Sequence, residues 1–164
     1  MSLNSWYEAW NFFLPASVLP FGLYALWVIF GQESVLPLDL RYKLGKNRLI
    51  GDGRGWSSLL TCLVLAGLVG VYQGRGDEAL VLGLGAHFGV TLNSAIKRAC
   101  GVRRGVTVPL ADNIDFVLGA CLFYALQFEP LFTTFIQGIA VCGTAHWLVS
   151  GLVRGALRNL EPGA

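Results

Sequence analysis

The sequence predicts an all-α, polytopic integral membrane protein: about five transmembrane helices, with two motif-bearing loops on the cytoplasmic side. Three observations predict it. Hydrophobic residues make up 54% of the 164-residue chain and charged residues only 13%, against ~25% charged in an ordinary soluble domain. Long stretches carry no charge at all. The basic residues are gathered into connections that an odd number of spans puts on one face. The same composition excludes a disordered tail, a secreted disulfide scaffold and a nucleic-acid-binding module, so no nucleic-acid partner is expected.

Each span follows from a gap between charges. Residues 9–32, 55–74, 79–96 and 130–153 are uncharged, and each is long enough as a helix to cross a ~30 Å hydrocarbon core. Trp6, Tyr7 and Trp10 stand at the entry to the first span, as interfacial aromatics do. Pro15 and Pro20 should kink or break that span, since each removes a backbone donor. The N-terminus has no basic region and its apolar stretch is long for a signal peptide, so it reads as an uncleaved first helix. Gly67 and Gly70 in the second span, and Gly83, Gly85 and Gly89 in the third, read as small-residue packing faces that also permit a homo-oligomer. The fourth uncharged stretch, residues 116–128, is short and spans only if extended back through Asp115, Ile114 and Asn113. The longest connection is brief and no repeat is visible, so residues 1–164 read as a single domain.

Five spans place residues 33–54, residues 97–113 and the C-terminus together. Those segments hold all but one of the 12 Lys and Arg residues; Arg75 alone lies opposite. The positive-inside rule makes the basic side cytoplasmic and the N-terminus external. The expected location is the plasma membrane of a prokaryote, multi-pass, with the reactive side facing the cytoplasm. Cys62, Cys100, Cys121 and Cys142 show no CxxC spacing and read as packing residues. Gly83-Leu84-Gly85 follows no strand and lacks a third glycine, so it is no dinucleotide fingerprint.

Chemistry concentrates in the two cytoplasmic connections. In the first, Arg48 precedes Gly51-Asp52-Gly53-Arg54-Gly55, directly before the second span. Glycines let the backbone approach a ligand closely, and helix-start N–H groups with nearby Arg favour an anion such as phosphate. Turn glycines among positive-inside residues give the same appearance without any ligand. In the second, Asn93-Ser94-Ala95-Ile96-Lys97-Arg98 closes the third span, and Asp112 and Asp115 open the fourth three residues apart, on one helix face. Two carboxylates at a membrane mouth suit a Mg²⁺ that also touches phosphate oxygens. The plain structural alternative makes Asp112 an N-cap and Asp115 a dipole partner. It suits Asp115 less, because an ionisable group so near hydrocarbon is costly.

The segments Pro37-Leu38-Asp39, Lys46-Asn47-Arg48-Leu49-Ile50-Gly51-Asp52-Gly53, Ser94-Ala95-Ile96-Lys97-Arg98, Arg104-Gly105, and Pro109 with Asp112-Asn113-Ile114-Asp115-Phe116 occur in a telling order and spacing. On these residues the sequence resembles the CDP-archaeol synthase family, integral-membrane enzymes related to phosphatidate cytidylyltransferases. The resemblance implies a reaction in which CTP and a membrane lipid monophosphate give a CDP-activated lipid and pyrophosphate. It implies catalytic roles for Asp112, Asp115 and Lys97, with Asp112 and Asp115 on Mg²⁺. It further implies substrate and phosphate contacts for Asp39, Arg48, Gly51, Asp52, Gly53, Arg54, Ser94, Arg98 and Arg104.

The chain also departs from the family pattern. Where relatives continue Lys-Thr-Trp-Arg-Gly, it has Arg54-Gly55-Trp56-Ser57-Ser58, and where they have Gly-Asp it has Gly89-Val90. A hydroxyl, an arginine and a carboxylate are thereby missing. His87 and His146 read as hydrogen-bonded packing residues and stay outside the expected site. Two other readings remain: a non-catalytic relative that binds lipid or a partner, and a small transporter subunit. Convergence of Asp112, Asp115, Lys97 and Arg54 on one pocket would favour the enzyme.

Overall fold

The structure is a computed structural model that describes residues 3–30, 43–44, 47–48, 55–103 and 106–160. It is built of helices: α1 (Leu3–Phe12), α2 (Leu14–Phe30), α3 (Trp56–Gln73), α4 (Gly76–Ala99), α5 (Ala111–Gln127) and α6 (Phe132–Leu160). The one sheet among the described residues pairs β1 (Lys43–Leu44) with β2 (Asn47–Arg48), antiparallel, Lys43 opposite Arg48. Three helical segments, Trp56–Gln73, Gly76–Ala99 and Phe132–Leu152, are long and apolar enough to cross a membrane.

The first predicted span is two helices. Pro15 has no N–H to give the carbonyl of Asn11, and the amides of Ala16 and Ser17 bond instead to Phe13, at 3.0 and 2.9 Å. The break therefore falls at Phe13, while Pro20 is accommodated inside α2. Two carbonyls are released, and both find partners on the α3–α4 turn. Gln73 Nε2 donates to the Asn11 carbonyl at 2.6 Å, and the Arg75 guanidinium donates to the Phe12 carbonyl at 3.0 Å. Arg75 also bonds Gln73 and Glu78 and lies 4.8 Å over the Phe12 ring. The single basic residue expected on the outer face is thus the clasp that satisfies a broken helix, as an apolar environment demands.

Helices α3 and α4 end alike. Gly74 and Gly101 take left-handed φ of 68° and 74°. Paired bonds close each end: Gly74 to Val71 and Arg75 to Gly70, then Gly101 to Arg98 and Val102 to Lys97. This glycine-terminated arrangement lets the chain reverse without orphaned carbonyls. In α4, Asp77 and Glu78 occupy the first turn and Lys97 and Arg98 the last, matching the helix dipole. Packing centres on Phe12, Phe13, Leu19, Leu82, Phe116 and Val117. Tyr124 meets Phe12, Phe128 and Phe135 at ring separations of 5.0, 4.8 and 6.0 Å.

Of the predicted face glycines, Gly70, Gly83, Gly85 and Gly89 make close contacts within the chain, while Gly67 meets only Leu80, at 3.8 Å. A Cβ on Gly83 would press on Ala66, and one on Gly70 on Ala79, so α3 and α4 touch through them. Gly85 and Gly89 put α4 against the backbone of α5 at Gly119 and Asp115.

Candidate active site

Gly85, Gly89, Asn93 and Lys97 recur every four residues and form one row along α4. Helix α5 runs back antiparallel from the loop that follows, and the row lies against it. The two glycines let the backbones touch, and the next two positions along the row carry polar groups. Asn93 Nδ2 donates to Asp112 Oδ1 at 2.7 Å and to Asp115 Oδ2 at 2.8 Å, bridging the two carboxylates. Lys97 Nζ bonds both oxygens of Asp112, at 2.7 and 2.9 Å. The Val108 amide donates to Asp112 Oδ2 at 2.9 Å, and the Phe116 amide to Asp115 Oδ1 at 2.7 Å. Asp112 is therefore no N-cap; Leu110 holds that position. The Lys97 and Asp112 side chains keep 16% and 20% of their exposure, desolvated enough to strengthen the pair yet reachable.

These groups line a cavity of about 240 Å³ with Ser94, Val90, Pro20, Phe116 and His146. Beside it runs an apolar groove of about 530 Å³ between α4 and α5, lined by Phe88, Leu92, Ile96, Leu118 and Leu122 among others. Asn93 and Asp115 belong to both. A polar chamber and a hydrophobic trough thus share one wall, the arrangement an amphiphile with a charged head requires.

Asp112, Asp115, Lys97 and Ser94 come together as expected, although the Ser94 hydroxyl donates to the Val90 carbonyl at 2.9 Å. Arg98 lies apart from the cavity lining and bonds the Val102 carbonyl at the helix end. Arg48 is placed by its backbone on β2. Asp39, Gly51, Asp52, Gly53, Arg54 and Arg104 lie outside the described residues. Asn93 and His146 were not expected in the site. The four-residue spacing that aligns Asn93 with Lys97 is the sequence signal for the former; nothing local marks the latter.

The histidines have separate settings. His87 is buried and its Nε2 lies 3.0 Å from Ser58 Oγ. Ser58 gives its one hydroxyl proton to the Gly55 carbonyl, at 2.6 Å, so Nε2 is the donor to Ser58. Ser58 Oγ also accepts from the Gly55 amide at 3.2 Å, capping α3. His146 instead contacts Ser150 Oγ at 3.2 Å and packs against Phe116 with ring centres 5.4 Å apart.

A family model described as CarS-like CDP-archaeol synthase matches residues 77–158, the stretch that carries all of this cavity's lining but Pro20. The CDP-archaeol synthase of Methanopyrus kandleri is 33% identical over 137 residues, covering 76% of this chain and 77% of that protein. The chain belongs to the CDP-archaeol synthase family. Another relative, the CDP-archaeol synthase of Methanosarcina mazei, is 35% identical over 135 residues, 68% of this chain and 77% of its own. That of Sulfolobus acidocaldarius is 38% identical over 95 residues, 54% and 58% respectively. A solved structure of an intramembrane enzyme for archaeal membrane lipids biosynthesis matches with a TM-score of 0.69 and 26% identity, covering 89% of this chain and 94% of that one.

Against the CDP-archaeol synthase family pattern, the departures acquire positions. Val90 lines the cavity itself, so the missing carboxylate is missing from the chamber wall. Gly55 offers no side chain to cap α3, and Ser58 caps in its place. Ser57 is exposed. Asp112 and Asp115 are hard oxygen donors close enough for one amide nitrogen to reach both, the donor chemistry that a Mg²⁺ site would use. No cluster of three His, Cys, Asp or Glu side chains suited to a metal occurs among the described residues.

Proposed function

We propose that the protein transfers a cytidylyl group from CTP to a membrane lipid monophosphate, giving a CDP-activated lipid and pyrophosphate, in the cavity between α4, α5 and α6. The observation that carries this reading is the shared wall: Asp115 and Asn93 face a polar chamber on one side and an apolar groove on the other. The lipid tail takes the groove, and its phosphate reaches the chamber where the nucleotide's phosphates lie. An oxygen of the lipid phosphate attacks the α-phosphorus of CTP; the new P–O bond forms as the α–β bridge breaks, and pyrophosphate leaves with the released electron pair. Such a step rests on in-line positioning and charge neutralisation.

Lys97 and Asn93 hold Asp112 and Asp115 in one geometry, so little reorganisation is needed when charge develops. Asp112 and Asp115 would hold Mg²⁺, which supplies neutralisation of the phosphate oxygens. The segment from Arg48 to Arg54, with Asp39 and Arg104, supplies further substrate contacts in this reading.

The proposed topology has five spans, α1 and α2 together making the first, with the N-terminus external and the site cytoplasmic. Arg75 and Lys97, at opposite ends of α4, are separated by about 33 Å of helix at 1.5 Å per residue, close to the hydrocarbon thickness of ~30 Å.

Purified protein in vesicles, given Mg²⁺, labelled CTP and a panel of ether- and ester-linked lipid phosphates, should release pyrophosphate and form a CDP-lipid. Absence of product from every lipid refutes the reaction. Persistence of product after removal of divalent cations refutes the metal.

A further inference from the structure

Most of the donors that α4 presents to the cavity are already engaged. Lys97 and Asn93 bond the carboxylates, and Ser94 bonds the Val90 carbonyl. A phosphate entering here meets a wall that bears two negative groups, so further donors must come from another side. Helix α6 supplies one: His146 lines the same cavity, and its ring is set by Ser150 Oγ at 3.2 Å and by the Phe116 ring, whose centre lies 5.4 Å from its own. It stands inside the apolar segment Phe132–Leu152, where an ionisable side chain is costly and is normally retained for function. It also lies beyond residues 37–119, the stretch whose motifs assign the other roles.

We propose that His146 is a substrate-binding residue that hydrogen-bonds a phosphate oxygen across the cavity from Asp112 and Asp115. The inference rests on the reaction proposed above. The phosphate belongs either to CTP or to the lipid, and the two arms of the test separate them. An imidazole suits either: with Ser150 Oγ donating to Nε2 the neutral ring carries its proton on Nδ1, and the imidazolium carries one on each nitrogen.

The test uses the full chain in vesicles with Mg²⁺ and three variants. His146→Phe keeps bulk without a donor, while His146→Asn and His146→Gln each restore an amide N–H. Initial rates are measured by varying CTP at saturating lipid phosphate, and the reverse; binding of CTP, inorganic pyrophosphate and lipid phosphate is titrated separately. His146→Phe should raise KM for one substrate about tenfold or more, the effect of one hydrogen bond to a charged group, with a smaller change in kcat. His146→Asn or His146→Gln should recover most of it. A shift in the CTP arm assigns the phosphate to the nucleotide, and a shift in the lipid arm assigns it to the lipid. Unchanged KM in both arms, a loss confined to kcat, or an equal loss in all three variants that follows a lower Tm overturns the inference. If the wild type binds CTP but makes no CDP-lipid, the reaction fails on its own. Binding of CTP or of lipid phosphate weakened by His146→Phe then still sustains the residue's role, and equal binding of both overturns it. No binding by the wild type overturns both.

Discussion

Replacing Gly89 by Ala should disable the site without touching any polar group in it. A Cβ at this position would run into the carbonyl oxygen of Asp115 and stand 3.0 Å from its carbonyl carbon and 3.1 Å from the Cα of Gly119. Carbon atoms rest at about 3.5–4.0 Å, and every atom met is backbone, so no rotamer can yield. Helix α5 must recede by roughly 1 Å at Asp115. Asp115 Oδ2 lies 2.8 Å from Asn93 Nδ2, and a recession of that size carries the contact beyond the ~3.2 Å limit of a good N–H···O bond. Displacement of this order costs a catalytic constellation about 10²-fold, and overpacking costs about 1–3 kcal/mol. The assay pairs kcat for CDP-lipid formation with Tm in detergent. Gly67→Ala is the control, because its Cβ meets only Leu80, at 3.8 Å; it should leave kcat alone. Wild-type kcat and Tm in Gly89→Ala would refute the claim that backbone contact sets the carboxylate geometry.

Lys97→Met should lower kcat by about 10²-fold, since it leaves the half-buried Asp112 carboxylate without its ion-pair partner; steady-state rates on the purified protein check it. Arg75→Met should do the opposite. It removes the donor to the Phe12 carbonyl and the bonds to Glu78 and Gln73, costing about 1–3 kcal/mol, so Tm falls while kcat holds. Cys100 is exposed at the end of α4, whereas Cys62, Cys121 and Cys142 are buried. An impermeant maleimide should label Cys100 in inside-out vesicles and not in right-side-out ones, and the reverse pattern would invert the proposed topology.

Much of this was legible because membranes simplify sequence. Spans announce themselves as gaps between charges, and Asp112, Asp115 and Lys97 stand out because so few charged residues exist. What stayed hidden was rotational. A helix that is apolar all round has no polar face to say which side looks inward, so Val90 and His146 could not be aimed from sequence alone. The break at Phe13 was hidden differently. Pro15 and Pro20 signal alike in a sequence, and the difference lies in distant donors: the turn at Gln73 and Arg75 stands ready to satisfy the carbonyls released before Pro15.

The row on α4 ties packing to chemistry. Residues four apart stay on one side of a helix, so the row that brings α5 close through Gly85 and Gly89 continues into Asn93 and Lys97. Close approach at the glycines shortens the reach across the interface one turn later. A short Asn side chain can then bridge two carboxylates on the neighbouring helix, which a wider Leu-packed separation of 8–10 Å or so would not permit. The small residues therefore do more than pack helices. They set the spacing at which Asp112 and Asp115 are held, and the site and the fold are specified by the same four positions.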